Sequence, residues 1–504
     1  MEKLNDFHIP TRQATAAVIL FFIKFLKISV KQAWPFILSV LYGARKMELG
    51  EWQIYLIVIG TAAIYLTVSI LSYLKFYYYV KDNEIVIEKG IISKTKLNIP
   101  FEKVQTVNFK QNVVQQIFKV VTFEVDSAGS NKQEISLSAI TEDKANQLRE
   151  YILTEKQKID QTEKVPVSEE QTIPESVEEK TILKLGIADL IKVGVTQNHF
   201  KSLGILMAFV FWIYSQYTEI FQGSDVGEEE FKEAYQSYHN ETILLILFFG
   251  FFLFLTPFFI SLIASVVRNF DLIFSISTDG LKLRNGLFNK QQRSTTLKKV
   301  QVLAWGRNPL QKLLQLFTIK VYPAASSQQS MKKILNIPGS KKEQVEEVIN
   351  TLFASEDLEN MKEHRIQKNF ISRNFLMLGI VPSIIAIILS FYFFGFNALY
   401  WMFLLPVSFL VFYFRYQKWR YFMNEEVLKI QHGLFGLHHK LIYWYKIQAV
   451  RISQTPYQLR KGLANIHFYM AGNYIKIPYI KLEKAIAIQN YVLYKIESDK
   501  RDWM

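Results

Sequence analysis

Residues Asn374 to Phe414 run forty-one positions without a charge, between Arg373 and Arg415. As a single helix this stretch would be about 60 Å long, twice the ~30 Å hydrocarbon core of a bilayer. The pattern therefore predicts two spans turning at Gly395-Phe396-Asn397. An equivalent pair lies upstream, where Ser202–Thr218 and Ile243–Val267 are uncharged and the stretch 223–241 between them carries six acids and one Lys. Lys192, Lys201 and Arg268 flank that pair, which places the flanks in the cytoplasm and the acidic loop outside. Trp52–Leu74 predicts a further span, followed by Lys75. Ahead of it Lys24, Lys27 and Lys31 share one helical face, the pattern of an interfacial helix.

Between the apolar blocks the periodicity changes. "EIVIEKGI", "GLKLRNGLF" and "VLKIQHGLF" alternate apolar and polar residues into a glycine, as strands entering a turn do. Aligned without gaps, the three segments share Gly90, Gly286 and Gly433, then Lys103, Lys299 and Lys446, then Gln105, Gln301 and Gln448. Gln115, Gln311 and Gln458 follow, and after them Ala128, Ala324 and Ala471. Identities at fixed spacing make the chain a triplication. Asn112 and Asn308 are placed to cap a short helical turn, where the third copy has Thr455. Each copy ends on an amphipathic helix, the clearest being "SKKEQVEEVINTLF", read with a capping box between Ser340 and Glu343.

An apolar hairpin, an aromatic exit ("KFYYYV", "RYQKWRYF") and then strand–Gly–strand with "IPFEKVQ" and a later Gln resemble the bacterial pleckstrin-homology-like (PH-like) domains of membrane proteins. Three copies in one chain resemble the YdbT-like family. The resemblance implies an α+β membrane protein in which transmembrane helical hairpins alternate with three PH-like antiparallel β domains, each closed by a C-terminal helix. The boundaries expected are an interfacial helix and first hairpin over 11–75, then PH-like domain 1 over 76–154 and a disordered linker over 155–180. An amphipathic helix and second hairpin follow over 181–268, domain 2 over 269–354, a third hairpin over 365–416 and domain 3 over 417–498. The linker is charged, Pro-containing and free of aromatics.

The bulk numbers narrow the chemistry. Of 504 residues, 50% are hydrophobic and 21% charged, with a net charge of +14. Basic flanks of spans account for that charge, so nucleic acid is not implied. There is no Cys, which removes disulfides, thiolate metal sites and a thiol nucleophile. The opening "MEKLNDFHIPTRQ" does not read as a cleavable leader. No phosphate loop, HExxH, GxSxG or GxGxxG stands in a fitting context, and the spans carry no ionisable residue of the kind that marks a transport path. His432, His438 and His439 cluster without an acid and read as surface histidines. No enzymatic activity, metal or cofactor is expected.

The repeated glutamines read as structural groups at a strand–helix corner. The repeated lysines have a second reading, as contacts for anionic lipid headgroups, worth about 1 kcal/mol each near a cytoplasmic leaflet. The functional expectation is a plasma-membrane protein presenting three cytoplasmic domains to membrane lipids, to a smaller PH-like membrane protein, or to itself. The family suggests envelope maintenance or resistance to membrane-active peptides. The alternative is a subunit of a lipid or small-molecule export system.

Overall fold

The computed structural model describes residues 7–28, 31, 51–127, 135–162, 179–197, 204, 206–208, 211–212, 215, 239–277, 280–324, 334–353, 358, 360–499 and 501. The first copy contributes β1 (Tyr77–Lys81), β2 (Glu84–Lys89), β3 (Thr95–Pro100), β4 (Val104–Gln111), β5 (Val120–Ser127) and β6 (Ile135–Thr141). After β7 (Lys180–Lys184), the second adds β8 (Ile273–Ser277), β9 (Gly280–Asn285), β10 (Lys290–Thr295), β11 (Val300–Arg307), β12 (Phe317–Pro323) and β13 (Leu335–Ser340). After β14 (Lys362–Arg365), the third has β15 (Arg420–Met423), β16 (Val427–His432), β17 (Leu437–Tyr443), β18 (Ala449–Ser453), β19 (Leu463–Met470) and β20 (Asn473–Lys481).

Each copy folds as two antiparallel meanders of three strands. The repeated glycine makes the turn between the second and third strands. Gly90 has φ +120° and a Cβ there would stand 1.9 Å from the Ser93 carbonyl oxygen, so no other residue fits. In the first copy the meanders face one another across a core of Ile85, Ile87, Phe101, Phe123 and Leu137, closed by Leu148 and Ile152. In the third, Tyr421, Ile430, Trp444, Ile466, Phe468 and Val492 do the same.

The corner between the meanders' fourth and fifth strands is where the second set of glutamines acts. Short helices α2 (Val113–Ile117), α6 (Pro309–Leu313) and α11 (Pro456–Arg460) each begin with a closed capping box. Asn112, Asn308 and Thr455 accept from the backbone N–H of Gln115, Gln311 and Gln458, whose side-chain oxygens accept in return at 2.9–3.0 Å. Thr455 thus fills the asparagine's place. Each glutamine's amide nitrogen then crosses to the next strand, to Thr122 at 2.7 Å, Thr318 at 3.0 Å and Asn465 at 2.9 Å. Each box satisfies two backbone donors that the start of a helix would otherwise leave open, and the glutamine amide ties the corner to the next strand.

The chain divides into two compact units, residues 1–180 with 275–296, and residues 181–274 with 297–504. In the first unit β4 of copy one pairs antiparallel with β10 of copy two, Gln111 opposite Lys290. In the second unit β11 of copy two pairs with β17 of copy three, Arg307 opposite Leu437. That pairing extends a seven-stranded sheet ordered β13-β12-β11-β17-β16-β15-β14. The copies are therefore joined edge to edge, a feature the alternation pattern did not announce.

Apolar helices precede each copy: α1 (Glu51–Leu74), α5 (His239–Asn269) and a helical hairpin over 369–418. Gly250–Asn269 and Asn369–Lys418 are long and apolar enough to cross a membrane; Ile59–Leu74 is a shorter apolar helix. The hairpin turns at Gly395, with φ +52°. A π-helical turn at Leu376–Ile380 faces the returning leg, where the Phe375 and Phe409 rings lie 5.5 Å apart.

Four expectations need correction or lie elsewhere. Helix α3 (Glu142–Thr162) runs into the stretch read as linker, and 163–178 lie outside the described residues. The approach to the second hairpin is strand β7 followed by the short helix α4 (Ile187–Val195), because Gly186 interrupts the apolar period; the third approach likewise opens on strand β14. Ser340 ends β13 buried and donates to the Ile337 carbonyl, so it caps nothing; the Lys341 N–H meets Gln344 instead, one residue on, at the start of α7 (Lys342–Phe353). The first legs of hairpins one and two lie largely outside the described residues.

Candidate functional site

The three repeated lysines stand in three different surroundings. Lys103 is exposed, Lys299 is 7% exposed and Lys446 is 3% exposed. The Lys446 ammonium donates to the Lys298 carbonyl at 2.9 Å and the Val300 carbonyl at 2.6 Å, at the foot of β11. Burial pushes its pKa down to about 8. Lys299 and Lys446 are thus removed from the candidate headgroup contacts, since neither is presented to solvent; Lys103 is left. The glutamines two residues on divide the same way: Gln301 is buried and Gln448 exposed. Gln105 lies on β4.

The joint between β11 and β17 forms one wall of a cleft of about 550 Å³. Its lining includes Trp305, Asn308, Gln311, Lys320, Asn336, His438, His439 and Lys440, with Thr196 and Gln197 just past the end of α4. The Asn308 amide donates to the Thr196 carbonyl at 2.6 Å, fixing that rim. Trp305 and His439 stack with centroids 5.1 Å apart. Gly306 makes the close approach possible, because a Cβ there would stand 2.3 Å from His438 Nδ1.

No lining residue carries a carboxylate, and among the described residues no carboxylate forms an ion pair with Lys320 or Lys440. Burial, then neighbouring lysines, lower the pKa of Lys440 and hold His432 and His439 down to about 4. The His439 Nδ1 has no partner. His432 and His439 are half-buried, which corrects their reading as surface residues, whereas His438 is exposed as expected. The sequence signal that could have revealed them was present: His438 and His439 sit one and two residues after Leu437, opposite the β11 positions that the repeat alignment matches to β4. No cluster of three metal-ligating side chains occurs among the described residues. What the arrangement can do is accept an anion, because its positive charge and amide donors can make charge-assisted hydrogen bonds.

Comparison with known proteins decides the frame. The family of bacterial PH domains matches residues 18–156, 231–356 and 373–496. The chain belongs to that family. A curated relative, the UPF0699 transmembrane protein YdbT of Bacillus subtilis (strain 168), is 23% identical over 420 residues, covering 81% of this chain and 83% of the relative. The three matched blocks each include an apolar segment ahead of their bacterial PH domain, so the repeated unit is an apolar segment plus a domain. The cleft lies at the joint of the second and third bacterial PH domains, on the side where α4 packs near α5. Its counterpart at the first joint, lined by Phe109, Lys110, Gln111, Glu142 and Gln291 among others, is about 110 Å³ and includes an acid.

Proposed function

We propose that the chain is a non-catalytic, multi-pass protein of the bacterial plasma membrane, with its three PH domains in the cytoplasm. The cleft at the second joint binds the anionic headgroup of a membrane lipid. The observation that carries this reading is a cleft containing Lys320, Lys440 and His438 with no acid, opening beside the short helix that packs on apolar α5. Membrane residence is supported by the transmembrane relative and by the two apolar stretches. The cytoplasmic placement rests on basic residues flanking the spans. A service in envelope maintenance or resistance to membrane-active peptides is consistent with a scaffold that senses headgroups and carries no catalytic group.

The test uses the full chain in detergent, titrated with short-chain phosphatidylglycerol or phosphatidylcholine while thermal unfolding is followed. A ligand at a hundred times its Kd stabilises the native state by about 2.7 kcal/mol. The anionic lipid should raise Tm, the zwitterionic one should not, and the Lys320→Ala/Lys440→Ala variant should lose the response. Equal responses to both lipids, or an unchanged response in the variant, would reject the cleft as a headgroup site.

A further inference from the structure

Two strands of this chain are built for a joint that, among the described residues, they do not make. Strand β3 is the first copy's counterpart of β10 and β17, which each pair with the preceding copy. Among the described residues β3 is the outer strand of a three-stranded sheet ordered β1-β2-β3 and pairs with no preceding copy. Strand β18 is the third copy's counterpart of β4 and β11, which each pair with the following copy. It too is an outer strand, of the sheet β18-β19-β20.

The surfaces agree with this account. At the joint, β11 is buried along most of its length, whereas β18 is exposed at Ala449 and Arg451 and at most half-buried elsewhere. Half of β3 is likewise exposed, at Thr95, Lys96 and Asn98. The joint's other specific device is also in place and idle. Lys446 pins the carbonyls of residues 298 and 300, and its counterpart Lys103 lies exposed; the matching carbonyls in the third copy belong to Tyr445 and Ile447. An open strand edge is a template for another chain, and here the template has two worked precedents of one register.

We propose that the protein assembles head to tail, β3 of one molecule adding to β18 of a second copy, with Lys103 of the first inserted against Tyr445 and Ile447 of the second. Both internal joints have the same register, so Gln111 opposite Lys290 and Arg307 opposite Leu437 carry over to Gln454 opposite Lys94. Ser453 then faces Thr95 and Ile452 faces Lys96. The apolar helix α1 ahead of the incoming copy matches the apolar segments ahead of copies two and three, so the membrane anchoring repeats along with the domains. A heterologous joint of this kind gives rings if the rotation closes and filaments if it does not. The inference stands on the strand joints and is independent of the headgroup reading.

The chain has no cysteine, which makes the test clean. Thr95→Cys and Ser453→Cys are placed on two separately tagged copies, co-expressed, and oxidised in native membranes. Directly opposed antiparallel residues have Cα atoms about 4.5–5.5 Å apart, within disulfide reach of about 4.4–6.8 Å. A crosslink joining the two tags is expected, with little from the out-of-register pair Asn98→Cys and Ser453→Cys. Adding Lys103→Ala should cut the yield about tenfold, the worth of one charge-assisted contact, while the melting of the unlinked chain stays unchanged. No crosslink, equal yield out of register, indifference to Lys103→Ala, or a crosslink only to a different polypeptide would each overturn the proposal.

Discussion

Strands β11 and β18 begin from one phrase, Lys-Val-Gln in the first and Lys-Ile-Gln in the second, and end in opposite surroundings. Gln301 is 1% exposed whereas Gln448 lies open. Residue type does not separate them. Only the neighbour differs: β17 lies against β11, and nothing described lies against the outer side of β18. A repeated motif therefore encodes a competence for pairing, and the next copy in line decides whether it is used.

Acid should break the contrast most strongly. His432 and His439 are held neutral at a pKa of about 4 against an ordinary 6.5. With the folded value depressed, their contribution is complete above about pH 6.5 and is lost as pH falls toward 4. At pH 5 the pair should cost the joint on the order of 3 kcal/mol. The first joint carries Asn285 and Gln292 at the corresponding places, so it should be indifferent. Hydrogen exchange at pH 7 and pH 5 should show 303–307 and 437–441 losing protection while 107–111 keeps it. Equal losses in both segments would show that acid acts elsewhere.

Gly306→Val comes next. The new side chain meets His438 and the Leu437 carbonyl, and overpacking of this kind costs about 1–3 kcal/mol. A lowered Tm with exchange rising first along β11 is expected. Unchanged melting would mean that the joint contributes nothing to the stability of the second unit.

The smallest effect compares the lysines. Lys446→Ala leaves two carbonyls unpaired but also removes a buried charge, so a net loss of about 1 kcal/mol is expected. Lys103→Ala in the unassembled chain should lie within about 0.5 kcal/mol of the parent. Chemical denaturation of the two variants checks this, and equal losses would refute the separate roles.

Much of the fold was legible because it is local. The triplication, the glycine turns and the caps at Asn112 and Asn308 are written in adjacent residues, and the charge-free run with Gly395 announced the hairpin. The strand joints were not legible, because alternation specifies which face of a strand is buried and says nothing about which edge is paired. For the same reason Lys446 read as a surface cation: its partners are the backbone carbonyls of residues 298 and 300, which leave no side-chain signature. The cleft was hidden too, since Lys320, His438 and Lys440 meet only once β11 and β17 are side by side.

The joint between β4 and β10 has a consequence for how the chain is made. The Asn108 side chain accepts from the backbone N–H of Ser294, 186 residues further along. At about 5–20 residues per second, translation needs on the order of 10–40 s to deliver the partner. Throughout that interval the first domain sits at the ribosome with its core complete and one flank bare, while the second apolar segment is still being threaded into the bilayer. Neighbouring nascent chains on one polysome expose the same flank at the same stage. The order of synthesis thus makes the biogenesis of this protein sensitive to ribosome spacing and to slow codons between the first and second domains.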